Sequence, residues 1–238
     1  MPEPSIFEQI IGRENWGHRP ALLGAGGCTY GELLKAVEDL ARAFRIIAVP
    51  RHVVGLCVPP SLNYAAALLA AAAADIVLVP INPSTSADEK RHVLENAGAR
   101  ALLTDLPPDK TPFAAGAPEA AWHGARLLTL TPAEPLAAEP GDRFLVYTSG
   151  SSTRPKAAVL TDLAISSNVR AIADNMALSP GDSSIVFTPP GYTYAMSQTL
   201  THLWAGGATV QYPHGMMYPA QILRLIESCR LTGLACNP

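Results

Sequence analysis

Residues 147–156 hold the densest group of side chains able to do chemistry: Tyr147-Thr148-Ser149-Gly150-Ser151-Ser152-Thr153-Arg154-Pro155-Lys156. An apolar strand pattern runs into small and hydroxylated residues, then a proline and a lysine. Such hydroxyls and exposed backbone N–H groups can wrap phosphate oxygens, and a lysine adds a point charge. The Walker A spacing GxxxxGK[ST] is absent, so this is not that loop. Taken alone, the run also suits an ordinary polar turn. The other chemistry-bearing residues are more scattered. Cys28, Cys57, Cys229 and Cys236 are widely spaced and form no CxxC pair, which points to structural thiols in a reducing cytoplasm rather than disulfides or a zinc site. His202 fits a helix-surface or packing position better than a catalytic one, and His214 with Met216-Met217 falls in a loop.

The elements around this run alternate. Thr29 and Glu32 have the capping-box form, ahead of apolar Leu33, Leu34, Val37, Leu40, Ala41 and Phe44 at helical spacing. Strands are predicted over 53–58, 76–79, 101–104, 126–130, 144–147, 185–188, 209–212 and 231–236. Helices are predicted over 62–74, 84–97, 163–176 and 220–229, with Gly98 as the stop of the second. Strands separated by helices of this length imply parallel pairing in βαβ units, so the expected fold is α/β with mainly parallel sheets flanked by helices. Residues 106–140, rich in proline and alanine, read as a linking excursion between a first α/β part, 1–105, and a phosphate-loop part, 141–238.

Composition narrows the class. Hydrophobic residues at 48% and charged residues at 16% exclude a disordered chain. A net charge of −3 gives no general attraction to nucleic acid or an anionic membrane. The apolar run from Tyr64 to Pro83 joins an alanine-rich half to a β-branched half, which reads as a helix and a buried strand rather than an integral membrane span. The N-terminus lacks a basic segment leading into an apolar one, so no signal peptide is indicated, and a cytoplasmic location is expected.

The 147–156 run resembles the phosphate-binding loop of the adenylate-forming superfamily, which holds acyl- and aryl-CoA ligases, luciferases and peptide-synthetase adenylation domains. That loop has the form YTSG[ST]TGxPKG, followed shortly by a TH pair. Tyr147, Thr148, Ser149, Gly150, Ser151, Pro155, Lys156 and Thr161 match it in register. Thr29-Tyr30 with Glu32-Leu33 is similar to the family's TYxEL, Val79-Pro80-Ile81-Asn82-Pro83 to its VPLNP, and Ala97-Gly98-Ala99-Arg100 with Thr104-Asp105 to its AGAR…TD. Pro189 to Tyr194 and His202 to Ala208 resemble the acyl-pocket helix entry and the strand lead after it. The resemblance runs over residues 16 to 238 in the expected order.

The resemblance implies a reaction and a site. ATP and a small-molecule carboxylic acid would give an acyl-adenylate and pyrophosphate, and a thiol, usually coenzyme A, would then take the acyl group. Thr148, Ser149, Gly150, Ser151 and Ser152, in a loop that includes Thr153, would cradle the β- and γ-phosphates beside Lys156, with Mg2+ shielding the same oxygens. Tyr192 stands at the acyl-pocket mouth, with a half-buried packing tyrosine as the alternative. No residue is assigned as a metal ligand.

Some positions depart from the family pattern. Thr153, Ala157 and Asp75 replace usual glycines, and Asp162, a candidate N-cap for the helix from Leu163, replaces a common histidine. The family's adenine-facing aromatic motif, magnesium-binding glutamate, ribose-binding aspartate and C-terminal domain with its catalytic lysine would all follow residue 238. No catalytic residue is therefore assigned, and the ending suggests truncation. The missing part could come from a second chain, and an isolated copy is expected not to complete adenylation. The alternative is a degenerate, non-catalytic homologue serving as a binding or regulatory partner.

Overall fold

The computed structural model describes residues 4–111, 120–130, 138–148 and 156–235. Along the chain lie α1 (Ile6–Ile11), β1 (Pro20–Leu23), β2 (Cys28–Thr29), α2 (Tyr30–Ile47), β3 (Val53–Cys57) and α3 (Leu62–Ala74). Then come β4 (Val77–Pro80), α4 (Ala87–Asn96), β5 (Ala101–Thr104), β6 (Ala120–Trp122), β7 (Ala125–Thr129), β8 (Asp142–Thr148) and β9 (Lys156–Thr161). The remainder forms α5 (Asp162–Asn175), β10 (Ser183–Val186), α6 (Thr193–Ala205), β11 (Ala208–Gln211) and α7 (Pro219–Ser228).

Two sheets result. The larger has the order β6-β7-β5-β3-β4-β8-β9 and the smaller β10-β11-β1-β2. Strands β5, β3, β4 and β8 pair in parallel, while β7 joins β5 and β9 joins β8 antiparallel, leaving β6 and β9 at the edges. The expected α/β class holds, with a parallel centre inside a mixed sheet. Hairpin β6–β7 extends the larger sheet within the segment expected to be a linking excursion. Both sheets draw on distant parts of the chain, since β1 pairs with β11.

The central strands are apolar throughout because both faces are covered. Successive side chains alternate faces. Val54, Leu56, Leu78, Phe144 and Val146 meet α2, α3 and α6 in one cluster, and Val53, Cys57, Val77, Val79, Leu102 and Leu145 meet α4 through Val93 and Leu94 in another. Helix α3 is buried nearly all round, which its alanines permit by letting neighbouring backbones approach closely. Thr29 and Glu32 form the capping box of α2. Gly55 lets α4 close on β3: a Cβ there would stand 2.4 Å from Leu94 Cδ2 and 3.0 Å from Leu102 Cδ1.

Two expectations require correction. Thr161, not Asp162, caps α5: its Oγ1 accepts from the Ala164 N–H at 3.2 Å. Asp162 is the first helical residue, where its negative charge suits the helix dipole. It accepts from Ser166 Oγ at 3.1 Å and pairs with Arg143 Nη2 at 3.5 Å. Residues 231–235 form no strand; Thr232 and Gly233 instead donate their backbone N–H groups to the Ser183 carbonyl, at 3.1 and 3.0 Å. Residues 231–235 have no partner strand among the described residues, so their β-propensity goes unused; Cys236, the last residue of the expected strand, lies outside the described residues.

Asp75 ends α3 in the left-handed conformation, φ 52°, with its N–H donating to the Ala71 and Ala72 carbonyls. Its carboxylate stands 3.8 Å from buried Arg143, which also lies at hydrogen-bonding distance from the Ala71 and Ile76 carbonyls. The turn that ends α3 thus carries a carboxylate beside a buried cation. No helix of the described residues is long and apolar enough to cross a membrane.

Two outcomes follow from the core. Gly55→Ala forces overlap with Leu94 and Leu102, and we expect a loss of about 1–3 kcal/mol in urea unfolding; an unchanged midpoint would contradict the packing. Burial also pushes the Cys57 thiol up to about 11 and raises the phenols of Tyr30 and Tyr64 above their ordinary value. The unfolded chain therefore releases these protons first. The stability they contribute is complete below about pH 8.5, the ordinary thiol value, and is lost as pH rises through about 11. Urea midpoints should fall across that window, and a flat profile would contradict the burial.

Candidate functional site

Strands β4 and β8 end side by side in the larger sheet, and β8 turns back into β9 through residues 149–155. The antiparallel register places Thr148 opposite Lys156 and Tyr147 opposite Ala157. The phosphate-loop candidates therefore divide. Ser149, Gly150, Ser151, Ser152 and Thr153 lie outside the described residues, while the Thr148 backbone and Lys156 form the base of the loop. Lys156 and Ala157 are exposed. Ala157 lies exposed on β9, an edge strand of the larger sheet.

A cleft of about 280 Å³ opens beside this hairpin, lined by Pro80, Ile81, Val93, Tyr147, Tyr192 and neighbours. Each wall has a local cause. Tyr147 is held from α4: its hydroxyl donates to Asn96 Oδ1 at 2.7 Å, and burial pushes the phenol up to about 12. The turn after β4 is shaped by Asn82, whose Oδ1 accepts from Ser84 N–H at 3.0 Å and Ser84 Oγ at 2.9 Å. Gly191 sits against that turn. A Cβ there would be 3.2 Å from the Asn82 nitrogen, tight enough to push the α6 entry away from β4.

Tyr192 precedes α6 at the cleft mouth and is 61% exposed, more open than a half-buried packing tyrosine. Glu89, on the first turn of α4, is the one charged residue among the described residues lining the cleft. Neither Glu89 nor Asn96 was singled out from sequence. Their positions on the helix after the Val79–Pro83 segment were the available signal, but helical spacing alone did not indicate which residues faced Tyr147.

His202 is buried on α6, with Nδ1 2.9 Å from the Gln198 carbonyl, and burial lowers its pKa. That is the environment of a neutral packing histidine. His214 lies edge-on between Tyr212 and Tyr218, with ring centroids 5.3 and 5.9 Å away. Cys28, Cys57 and Cys229 are free thiols, and Cys236 lies outside the described residues. Among the described residues no group of three or more His, Cys, Asp or Glu side chains is placed to hold a metal ion.

A parallel-centred α/β sheet with a cleft at the carboxyl ends of its strands places the molecule among the α/β proteins that take ligands at that end of the sheet. The particular family is the one described as AMP-binding enzyme, which matches residues 11–238, and the chain belongs to it. Among curated relatives, phenyloxazoline synthase MbtB of Mycobacterium sp. (strain MCS) is 32% identical over 225 residues, covering 92% of this chain and 19% of that protein. Feruloyl-CoA synthase of Amycolatopsis sp is 31% identical over 221 residues, covering 88% of this chain and 43% of that protein. The N-terminal subdomain of Klebsiella oxytoca NpsA superposes with a TM-score of 0.76 at 23% identity, covering 96% of this chain and 59% of that one, a likeness of fold. The chain thus spans under half the length of these two curated relatives.

Proposed function

We propose that the chain forms the ATP-phosphate- and acid-binding portion of an AMP-forming acid–thiol ligase. In that reaction a carboxylate oxygen attacks the α-phosphorus of ATP, giving an acyl-adenylate and releasing pyrophosphate. A thiol, coenzyme A in this reading, then attacks the acyl carbon and releases AMP. The cross-strand pairing of Thr148 with Lys156 is the observation that carries the reading. It sets an exposed ammonium at the base of a loop rich in hydroxyls and backbone donors, where phosphate oxygens gain charge-assisted hydrogen bonds. Thr148, Ser149, Gly150, Ser151, Ser152 and Thr153 would wrap the β- and γ-phosphates, and Lys156 would neutralise charge that builds on the departing pyrophosphate. Tyr192 would border the acid.

Magnesium bound to the nucleotide would supply further charge stabilisation, but the described residues build no cluster to hold it, so it is assigned no ligand in this chain. The acid is a small molecule, and groups acting at the adenine, ribose and acyl carbon would come from chain beyond these residues or from a second chain. A cytoplasmic setting fits the free thiols Cys28, Cys57 and Cys229.

A second reading, a non-catalytic homologue acting as a binding or regulatory partner, is favoured by Thr153 at a position that is glycine in the resembled loop. Calorimetric titration with MgATP separates the two. We expect saturable binding that Lys156→Ala weakens by about ten-fold, with no change in thermal unfolding because the side chain is exposed. Binding indifferent to Lys156→Ala would contradict the phosphate role, and a folded chain with no ATP affinity would favour the second reading.

A further inference from the structure

Strand β9 is an outer edge of the larger sheet and carries little register information of its own. Of its residues only Leu160 is partly buried; Lys156, Ala157, Ala158, Val159 and Thr161 are exposed. Burial of one face is what ordinarily fixes register, and a strand without it slips easily. The connection over residues 149–155 is also longer than the two-residue turns that set register by their own geometry. Yet Thr148 stands opposite Lys156 in one register alone. A slip of one residue would bring a neighbour of Lys156 opposite Thr148 and turn the ammonium to the other face of the sheet.

The hairpin is anchored at its other end. Asp142 pairs with Thr161 and Phe144 with Leu160, so two steps along β8 answer one along β9, and Arg143 is the extra residue of a bulge. Its side chain is buried, with Nη2 3.5 Å from Asp162 Oδ2, directly after β9, and Nη1 3.8 Å from Asp75 Oδ1, shortly before β4. The Asp162 N–H donates to the Gly141 carbonyl at 2.7 Å across the same end. We propose that Arg143 is a positioning residue for the phosphate loop. Through the bulge and the Asp162 pair it pins β9 in register and so holds Lys156 opposite Thr148. The inference rests on the proposed phosphate role of Lys156 and adds the residue that places it. A slip of β9 carries Asp162 away from a guanidinium that stays buried, and breaking a buried pair is far more costly than shifting an exposed strand.

The test puts a register reporter in the hairpin. Val146 pairs with Ala158, so Val146→Cys with Ala158→Cys sets two thiols within disulfide reach in the native register and on opposite faces after a slip of one residue. Oxidation followed by peptide mass mapping reads that link apart from any link to the native cysteines. The combined variant Arg143→Met, Asp75→Asn, Asp162→Asn removes the pin without leaving a buried charge. Its thermal unfolding should stay near wild type while the crosslink yield falls about three-fold or more. Its MgATP affinity, measured without the reporter cysteines, should fall about ten-fold. Asp162→Asn alone cuts the β9 side and leaves Asp75 to compensate the cation, and its crosslink yield should fall by about half. Wild-type crosslink yield in Asp162→Asn would overturn the pin, whether or not the combined variant folds. A lost crosslink with wild-type MgATP affinity would overturn the positioning role. Crosslink yields that fall as expected in a chain with no MgATP affinity would sink the phosphate reading and keep the pin.

Discussion

Strands β4 and β8 pair in parallel in the middle of the larger sheet, with Leu78 opposite Phe144, and their carboxyl ends deliver Pro80 and Tyr147 to the same side. Parallel pairing places the ends of successive strands together, so turns from distant parts of the sequence converge there. The Asn82 turn, the β8–β9 hairpin and the Gly191–Tyr192 entry to α6 all depend on it. A shift of one residue in β8 would turn Tyr147 from the α4 side to the α5–α6 side and release its bond to Asn96. The alternation of Phe144 and Val146 against Leu145 and Tyr147 resists that shift, because each pair is matched to its own core cluster.

The amino ends of the same strands are secured differently. Arg143 is buried between Asp75 and Asp162, with Phe7 at cation–π range. Removing either carboxylate leaves the cation less compensated, and an unpaired buried charge is far more costly than an absent pair. Asp75 and Asp162 are therefore coupled to each other through Arg143.

Much of the framework was legible in the residues. The capping box at Thr29 and Glu32, the alanine run of α3 and the β-branched run of β4 each carry a local signal strong enough to set an element. Strand β9 carried only a short signal, Val159 to Thr161, because Lys156, Ala157 and Ala158 have weak strand propensity and the pairing to β8 sets their conformation. Strands β1 and β2 were also missed, since four and two residues give too little periodicity to read. The last apolar run misled for the opposite reason: at 231–233 the backbone N–H groups bond to the Ile226 and Ser183 carbonyls instead of forming a strand ladder. For the site, loop composition and order pointed to the hairpin. The partners that shape the cleft, Asn96 to Tyr147 and Asn82 to Gly191, arise from tertiary approach and have no spacing in the chain.

The central claim is that the β8–β9 hairpin is where ATP phosphates bind. Amide hydrogen exchange on the chain, with and without saturating MgATP, tests it most directly. The account predicts slowed exchange concentrated in residues 147–158, with α7 and the α2 surface unchanged. Protection confined to another region, with the hairpin exchanging at the same rate in both conditions, would contradict it.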